Sequence, residues 1–320
     1  MEITLELVTL IGGLLLILFG ANYLVNGSSD IARRFGISEF VIGLTIVGIG
    51  TSAPEMVVSF MSAVKGNADM AIGNVVGSNI FNTFMILGFT ALISPLAITK
   101  ENIRRDIPVN IAASVILILL GMSGTIFGIG SNMLGRFDAV ILLAFFAWYM
   151  ATSFKTTQMD ESDEAETPVR TTWLSIAYIV AGLAGLIFGG RVFVDSATEL
   201  AKIFGVSDKF IAITVLAGGT SMPELATCIV AALKGKGQLA LGNILGSNVF
   251  NILLILGGSA LITPLSFTGM SNIDLGVLLI GSVFLLLSAY LFRKNKLDRI
   301  EAVILLLIEA AYMWYLIQNL

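Results

Sequence analysis

Two hexapeptides, GTSAPE at 50–55 and GTSMPE at 219–224, each set a carboxylate beside a proline, a threonine and a serine within an otherwise apolar run. A proline inside a helix offers no N–H and its ring clashes with the carbonyl four residues back, which is Gly50 for Pro54 and Gly219 for Pro223. A lone kink would need no further reading, but here a Thr, a Ser and a Glu accompany the proline both times. Thr51 and Glu55 are four residues apart and are expected on one helix face, as are Thr220 and Glu224. The segments GNVVGSNIFN (73–82) and GNILGSNVFN (242–251) follow, where Ser78 and Asn82, and likewise Ser247 and Asn251, share a face. Their glycines admit close helix packing, and polar packing is the plainer use of these Ser and Asn side chains. Every candidate ligand in the four segments is an oxygen. The chain has no histidine and a single Cys228, which argues against zinc, copper and iron. An oxygen cage with flexible, kinked walls suits Ca²⁺, which takes about six to eight oxygens at roughly 2.3–2.6 Å, better than Mg²⁺, which requires stricter octahedral geometry. Na⁺ is close to Ca²⁺ in radius and favours the same atoms, so one cavity could serve both ions in turn.

The elements that carry these residues are membrane spans. Hydrophobic residues make up 56% of the 320, charged residues only 12%, and mean hydropathy is +0.93, the composition of a polytopic membrane protein. Apolar segments recur at approximately 5–26, 40–64, 70–93, 108–127, 134–154, 172–195, 210–233, 238–262, 273–292 and 299–318, predicting ten transmembrane helices. The first has no basic leader or small-residue cleavage site and reads as a span, not a signal peptide. Cys228 reads as a packing residue within a span, as do most of the twelve Met. A net charge of −4 without basic clusters gives no reason to expect nucleic acid, and no protein partner is implied. Counting alternate loops, 13 of the 18 Lys and Arg fall on one side. By the positive-inside tendency that side is cytoplasmic, with both termini outside.

The chain is also a duplication. Thr51–Pro95 aligns with Thr220–Pro264 at a constant shift of 169 residues, with 22 identities in 45 positions and no gap. The same shift carries Gly20, Phe35, Gly36 and Ser38 onto Gly189, Phe204, Gly205 and Ser207. The predicted units are residues 1–154 and 172–320, five spans each, joined by a cytoplasmic acidic linker at 155–171. Because five is odd, the second unit enters the membrane from the opposite side. Inverted repeats with interrupted helices near the midplane are the architecture of secondary transporters. A mid-membrane carboxylate costs at least about 2.5 kcal/mol on insertion scales, so Glu55 and Glu224 are functional candidates by default.

GTSAPE and GTSMPE, each followed by GN..GSN.FN, resemble the two α-repeats of the cation/calcium exchanger superfamily, in its sodium/calcium exchanger branch, and the resemblance spans the whole chain. It implies that Ca²⁺ is held by the Glu55 and Glu224 carboxylates with backbone oxygens near Thr51 and Thr220. It implies Na⁺ ligands among the Gly48 and Ala217 carbonyls and Thr51, Ser52, Ser78, Thr220, Ser221 and Ser247. It further implies that the first and sixth spans slide as a gating pair, consistent with glycines at 12, 13, 20, 182, 185, 189 and 190. Asn at 251, where many relatives carry Asp, together with Asn82, argues against potassium dependence. Gly77 and Gly246, where proton-coupled relatives tend to carry glutamate, disfavour proton coupling. The expected location is a prokaryotic plasma membrane.

Two ionised glutamates facing a low-dielectric barrier oppose switching of an empty site, whereas Ca²⁺ or several Na⁺ neutralise them. Exchange, not leak, is therefore expected, and neither a cofactor nor an enzymatic reaction is; Ca²⁺ and Na⁺ are cargo. A H⁺/Ca²⁺ antiporter on the same scaffold is the alternative. A passive channel would need a continuous pore, and an intramembrane hydrolase would need a base that His or Asp does not supply here. DESDEAE (160–166) reads as a solvated linker and not a calcium sensor. Glu309 has no repeat partner, its counterpart being Val140, and Asp30, Asp195 and Glu199 read as rim charges at the ends of the gating spans.

Overall fold

The structure, a computed structural model, describes residues 2–128, 130–154, 170–205, 217–291 and 295–318. The acidic stretch 160–166 and the start of the seventh span, 210–216, lie outside the described residues. Elsewhere helices form ten spans near the expected boundaries. Seven are long and apolar enough to cross a membrane by themselves, and the bent pair Glu39–Thr51 and Ala53–Val64 makes an eighth. The fourth (Ile107–Gly121) begins in a charged wide turn, Asn102–Asp106, and the seventh, described from Ala217, is interrupted at Ser221.

The first and sixth spans run further than their apolar sequence suggests, to Glu2–Phe35 and Thr172–Ile203. Hydropathy falls after position 26, yet Ser28, Ser29 and Asp30 are buried against the rest of the fold, so the helix continues. What ends each helix is a left-handed glycine at repeat-related positions, Gly36 (φ 65°) and Gly205 (φ 77°).

These two helices make the most extensive interhelical contact in the structure. A Cβ on Gly182 would lie 2.5 Å from the Leu24 nitrogen, and one on Gly20 would lie 2.7 Å from the Leu186 nitrogen, so the backbones touch. Gly13, Gly185 and Gly189 sit in the same seam. Gly12 and Gly190, also expected there, do not: Gly12 faces open space and Gly190 looks toward Pro223. The pair lies at the periphery, with only 17% and 28% of the most apolar stretch of each buried. The third and eighth spans, at 67% and 94%, form the centre.

Loop contacts follow the inverted topology. A two-residue ladder joins Leu96–Ala97 to Lys296–Leu297, and another joins Met133–Leu134 to Leu265–Ser266. Counting crossings, each ladder pairs two loops on one side of the membrane. The same holds for Arg170 with Asp30 (2.7 Å), Lys236 with Glu39 (3.2 Å) and Arg136 with the Leu261 carbonyl (3.3 Å).

Candidate functional site

Each GTS-PE segment breaks its helix. The second span bends by 50° between Thr51 and Ala53. Ser52 leaves helical geometry (φ −81°, ψ 8°), as does its repeat partner Ser221 (φ −89°, ψ 6°). Thr51 and Glu55 therefore belong to different helices, and the expected shared face is interrupted. The reason is local: Pro54 and Pro223 take the early positions of new helices, Ala53–Val64 and Met222–Leu233, where a missing N–H is harmless. Glu55 and Glu224 fall in the first turns of these helices. The positive end of each helix dipole thus meets a carboxylate, a favourable feature that the i, i+4 pattern does not reveal.

The repeats then exchange hydrogen bonds. Ser52 Oγ donates to Glu224 Oε1 at 2.9 Å, and Ser221 Oγ donates to Glu55 Oε1 at 3.1 Å, with both glutamates 1% exposed. Thr220 lies beside Glu55, and Thr51 and Ser247 lie beside Glu224. Thr51 Oγ1 also reaches the Val47 carbonyl (3.0 Å), the Gly48 carbonyl (3.5 Å) and Asn243 Oδ1 (3.2 Å). Gly48 packs on the eighth span, where a Cβ would be 3.4 Å from the Ser247 nitrogen. Ala217 is the first described residue of the seventh span, in the helical segment Ala217–Thr220 that leads into the break.

Asn82 and Asn251 lie on repeat-related wide turns, Asn82–Ile86 and Phe250–Leu256, π-helical geometry that is frequent at functional sites. Asn82 Nδ2 donates to Asn248 Oδ1 (3.1 Å) and Asn251 Nδ2 donates to Asn79 Oδ1 (2.9 Å). The second bond is the first moved by the 169-residue shift. Asn248 Nδ2 completes the network on Thr83 Oγ1 (2.9 Å). Ser78 is buried one turn before Asn82 and, among the described residues, makes no hydrogen bond to either glutamate.

Four asparagines in the quoted segments escaped selection from sequence. Asn79 and Asn248 anchor the Asn82 and Asn251 amides, while Asn74 donates to the Glu55 carbonyl (3.2 Å) and to Ser59 Oγ (2.9 Å). Its partner Asn243 donates to Cys228 Sγ at 3.2 Å, so Cys228 stands where Ser59 does in the first repeat and acts as a packing acceptor. Their signal was available, since all four recur at the repeat shift.

Among the described residues, Glu55 Oε2, Glu224 Oε2, Ser247 Oγ, Asn82 Oδ1 and Asn251 Oδ1 are buried without a hydrogen-bond partner, as are some others in the fold, Thr227 Oγ1, Ser259 Oγ and Glu309 Oε2 among them. A polar atom in that position is costly. Glu55 and Glu224 face each other across the repeats, and carboxylate, hydroxyl and amide oxygens of this kind are the donors that a hard cation takes. A cavity of about 790 Å³ approaches from one face, bounded by Pro54, Val57, Asn74, Arg191, Thr220 and Pro223 among others.

Paired broken helices, inverted repeats and an all-oxygen centre define a secondary transporter of cations. The chain belongs to the sodium/calcium exchanger protein family, which it matches over residues 5–155 and 174–318. It is an integral membrane transporter of the cation/calcium exchanger class and not an enzyme. It is 30% identical to the sodium/calcium exchanger MaX1 of Methanosarcina acetivorans, covering 97% of this chain and 98% of that one. It is 37% identical to the inner membrane protein YrbG of Escherichia coli, over 80% of this chain and 79% of that one. The sodium-calcium exchanger NCX_Mj, in crystals soaked with Na⁺ and Sr²⁺, superposes with a TM-score of 0.83 at 31% identity, covering 97% of this chain and 98% of that one. The ten-helix, two-repeat fold is shared.

Proposed function

We propose that this protein exchanges Na⁺ for Ca²⁺ by alternating access, with Glu55 and Glu224 as the carboxylates of one site. The observation that carries this reading is the reciprocal pair of serine–glutamate bonds across the repeats, with Glu55 Oε2 and Glu224 Oε2 buried and without a hydrogen-bond partner among the described residues. Glu55 and Glu224 balance one Ca²⁺. The Thr51, Ser52, Ser78, Thr220, Ser221 and Ser247 hydroxyls, the Asn82 and Asn251 amides, and the Gly48 and Ala217 carbonyls at the helix breaks supply neutral oxygens for Na⁺. The charge of the two glutamates opposes crossing when the site is empty, which couples the two fluxes. Likeness to the sodium-calcium exchangers supports three Na⁺ per Ca²⁺, hence one net charge per cycle. The excess of basic residues on one side supports a cytoplasmic 155–171 linker and termini outside a prokaryotic plasma membrane.

The H⁺/Ca²⁺ alternative shares the scaffold, and the absence of histidine from the chain favours sodium. The test is Ca²⁺ uptake into proteoliposomes under an imposed sodium or proton gradient. Sodium-driven uptake that survives a protonophore, at clamped potential and without potassium, is expected. A strict proton requirement would establish the alternative.

A further inference from the structure

The two faces of the protein are in different states. On the linker face, the first span packs along Met222–Leu233, with Ala21 and Val25 fully buried. There Lys234 Nζ, at the end of that helix, donates to Asn22 Oδ1 and to Asn26 Oδ1 (2.6 Å). Shifting by 169 residues turns Lys234 into Lys65, Asn22 into Arg191, Asn26 into Asp195, and Ala21 and Val25 into Gly190 and Val194. On the opposite face, among the described residues, Asp195 is paired with Arg191 and not with Lys65. The sixth span makes little contact with Ala53–Val64, and the cavity opens between them, lined by Gly190, Arg191, Val194 and Asp195 on one wall and Pro54 and Val57 on the other. Lys65 is exposed just beyond that helix. Arg191 and Asp195 are 82% and 72% exposed and sit 3.9 Å apart, a loose pair that leaves the Asp195 carboxylate available.

Inverted repeats interchange their conformations when access alternates. We propose that closing the cavity brings Lys65 onto Asp195, forming the twin of the Lys234 clasp, while Lys234 releases Asn22 and Asn26. This rests on the alternating-access reading above. The twins differ in chemistry: Lys234 binds neutral amide oxygens, whereas Lys65 meets a carboxylate flanked by a second cation, Arg191. The cavity-closed state is therefore the one held by a salt-screened ion pair.

The test uses Lys65→Cys with Asp195→Cys in a Cys228→Ala background, reconstituted in liposomes and treated under turnover conditions with a bifunctional methanethiosulfonate that spans the length of a Lys–Asp contact, since a direct disulfide would need closer backbones. Cross-linking is expected, with transport arrested and then restored by reduction. Adding Lys234→Met, which has no donor and so releases the opposite clasp, should speed cross-linking about two- to fivefold, the range of an exposed charged contact. Absence of the cross-link, or a rate indifferent to Lys234→Met, in protein whose reduced form still carries sodium-driven Ca²⁺ flux would overturn the clasp and leave the transport reading intact. Absence of flux in the reduced form of this variant and in the unsubstituted protein would instead overturn the transport reading.

Discussion

Replacing either central glutamate by glutamine keeps its size and its carbonyl oxygen and removes one of the two formal charges that the site offers. At a contact distance of about 2.4 Å and an effective dielectric constant of about 20, one carboxylate attracts a divalent cation by about 14 kcal/mol before desolvation is counted. Even if nine-tenths of that were offset by ion dehydration and relaxation, the remaining roughly 1.4 kcal/mol would weaken Ca²⁺ binding tenfold. The Ca²⁺-loaded cavity would also carry a net charge of +1 while switching, which penalises the crossing step. Glu55→Gln and Glu224→Gln should therefore each lower Ca²⁺ affinity at least tenfold and bring uptake to background. The assay is titration calorimetry on purified protein alongside proteoliposome flux, with size-exclusion profiles confirming a folded chain. Glu309→Gln is the control. Glu309 is also buried, with Oε2 unpartnered among the described residues, but it lies on the tenth span, and the repeat shift puts Val140 in its place. It should retain uptake. Wild-type Ca²⁺ transport in a folded Glu55→Gln or Glu224→Gln variant would refute the assignment, and loss confined to Glu309→Gln would move the site.

Asn251→Asp removes the N–H that bonds Asn79 Oδ1 at 2.9 Å, and in Na⁺-free detergent it should destabilise the protein by about 1–3 kcal/mol; an unchanged melting temperature contradicts this. Gly182→Ala places a methyl 2.5 Å from the Leu24 backbone, so it should slow turnover more than it weakens Ca²⁺ binding, and equal loss of both would point away from sliding of the first and sixth spans. Cysteines at Ser162 and Gly269, in the Cys228→Ala background, should be labelled by an impermeant thiol reagent from opposite faces; labelling from one face would break the inverted topology.

Much of this was legible in sequence because the duplication repeats both chemistry and context. Glu55 with Glu224, and Asn82 with Asn251, stood out as pairs before any geometry was known, and the span count followed from apolar runs. The break at Ser52 was less accessible. The proline announced a disturbance, but whether it kinks one helix or starts a second depends on the backbone on either side, and only the second outcome puts Glu55 at a helix N-terminus. The cross-repeat bonds of Ser52 and Ser221 were hidden because sequence spacing describes neighbours along one helix, not across a pseudo-two-fold axis. Asn22 and Asn26 were passed over for a related reason. They end a hydropathic run and look like the edge of the membrane, whereas they remain helical and bind Lys234 from the other repeat.

The central claim is that one ion is held jointly by both repeats, and diffraction from crystals soaked in Sr²⁺ tests it most directly. The account predicts an anomalous peak in contact with carboxylate oxygens of both Glu55 and Glu224, at about the 2.3–2.6 Å typical of Ca²⁺ or slightly longer, and its loss from Glu224→Gln crystals. A peak touching only one glutamate, or lying at Glu309 or the 155–171 linker with the centre empty, would contradict it.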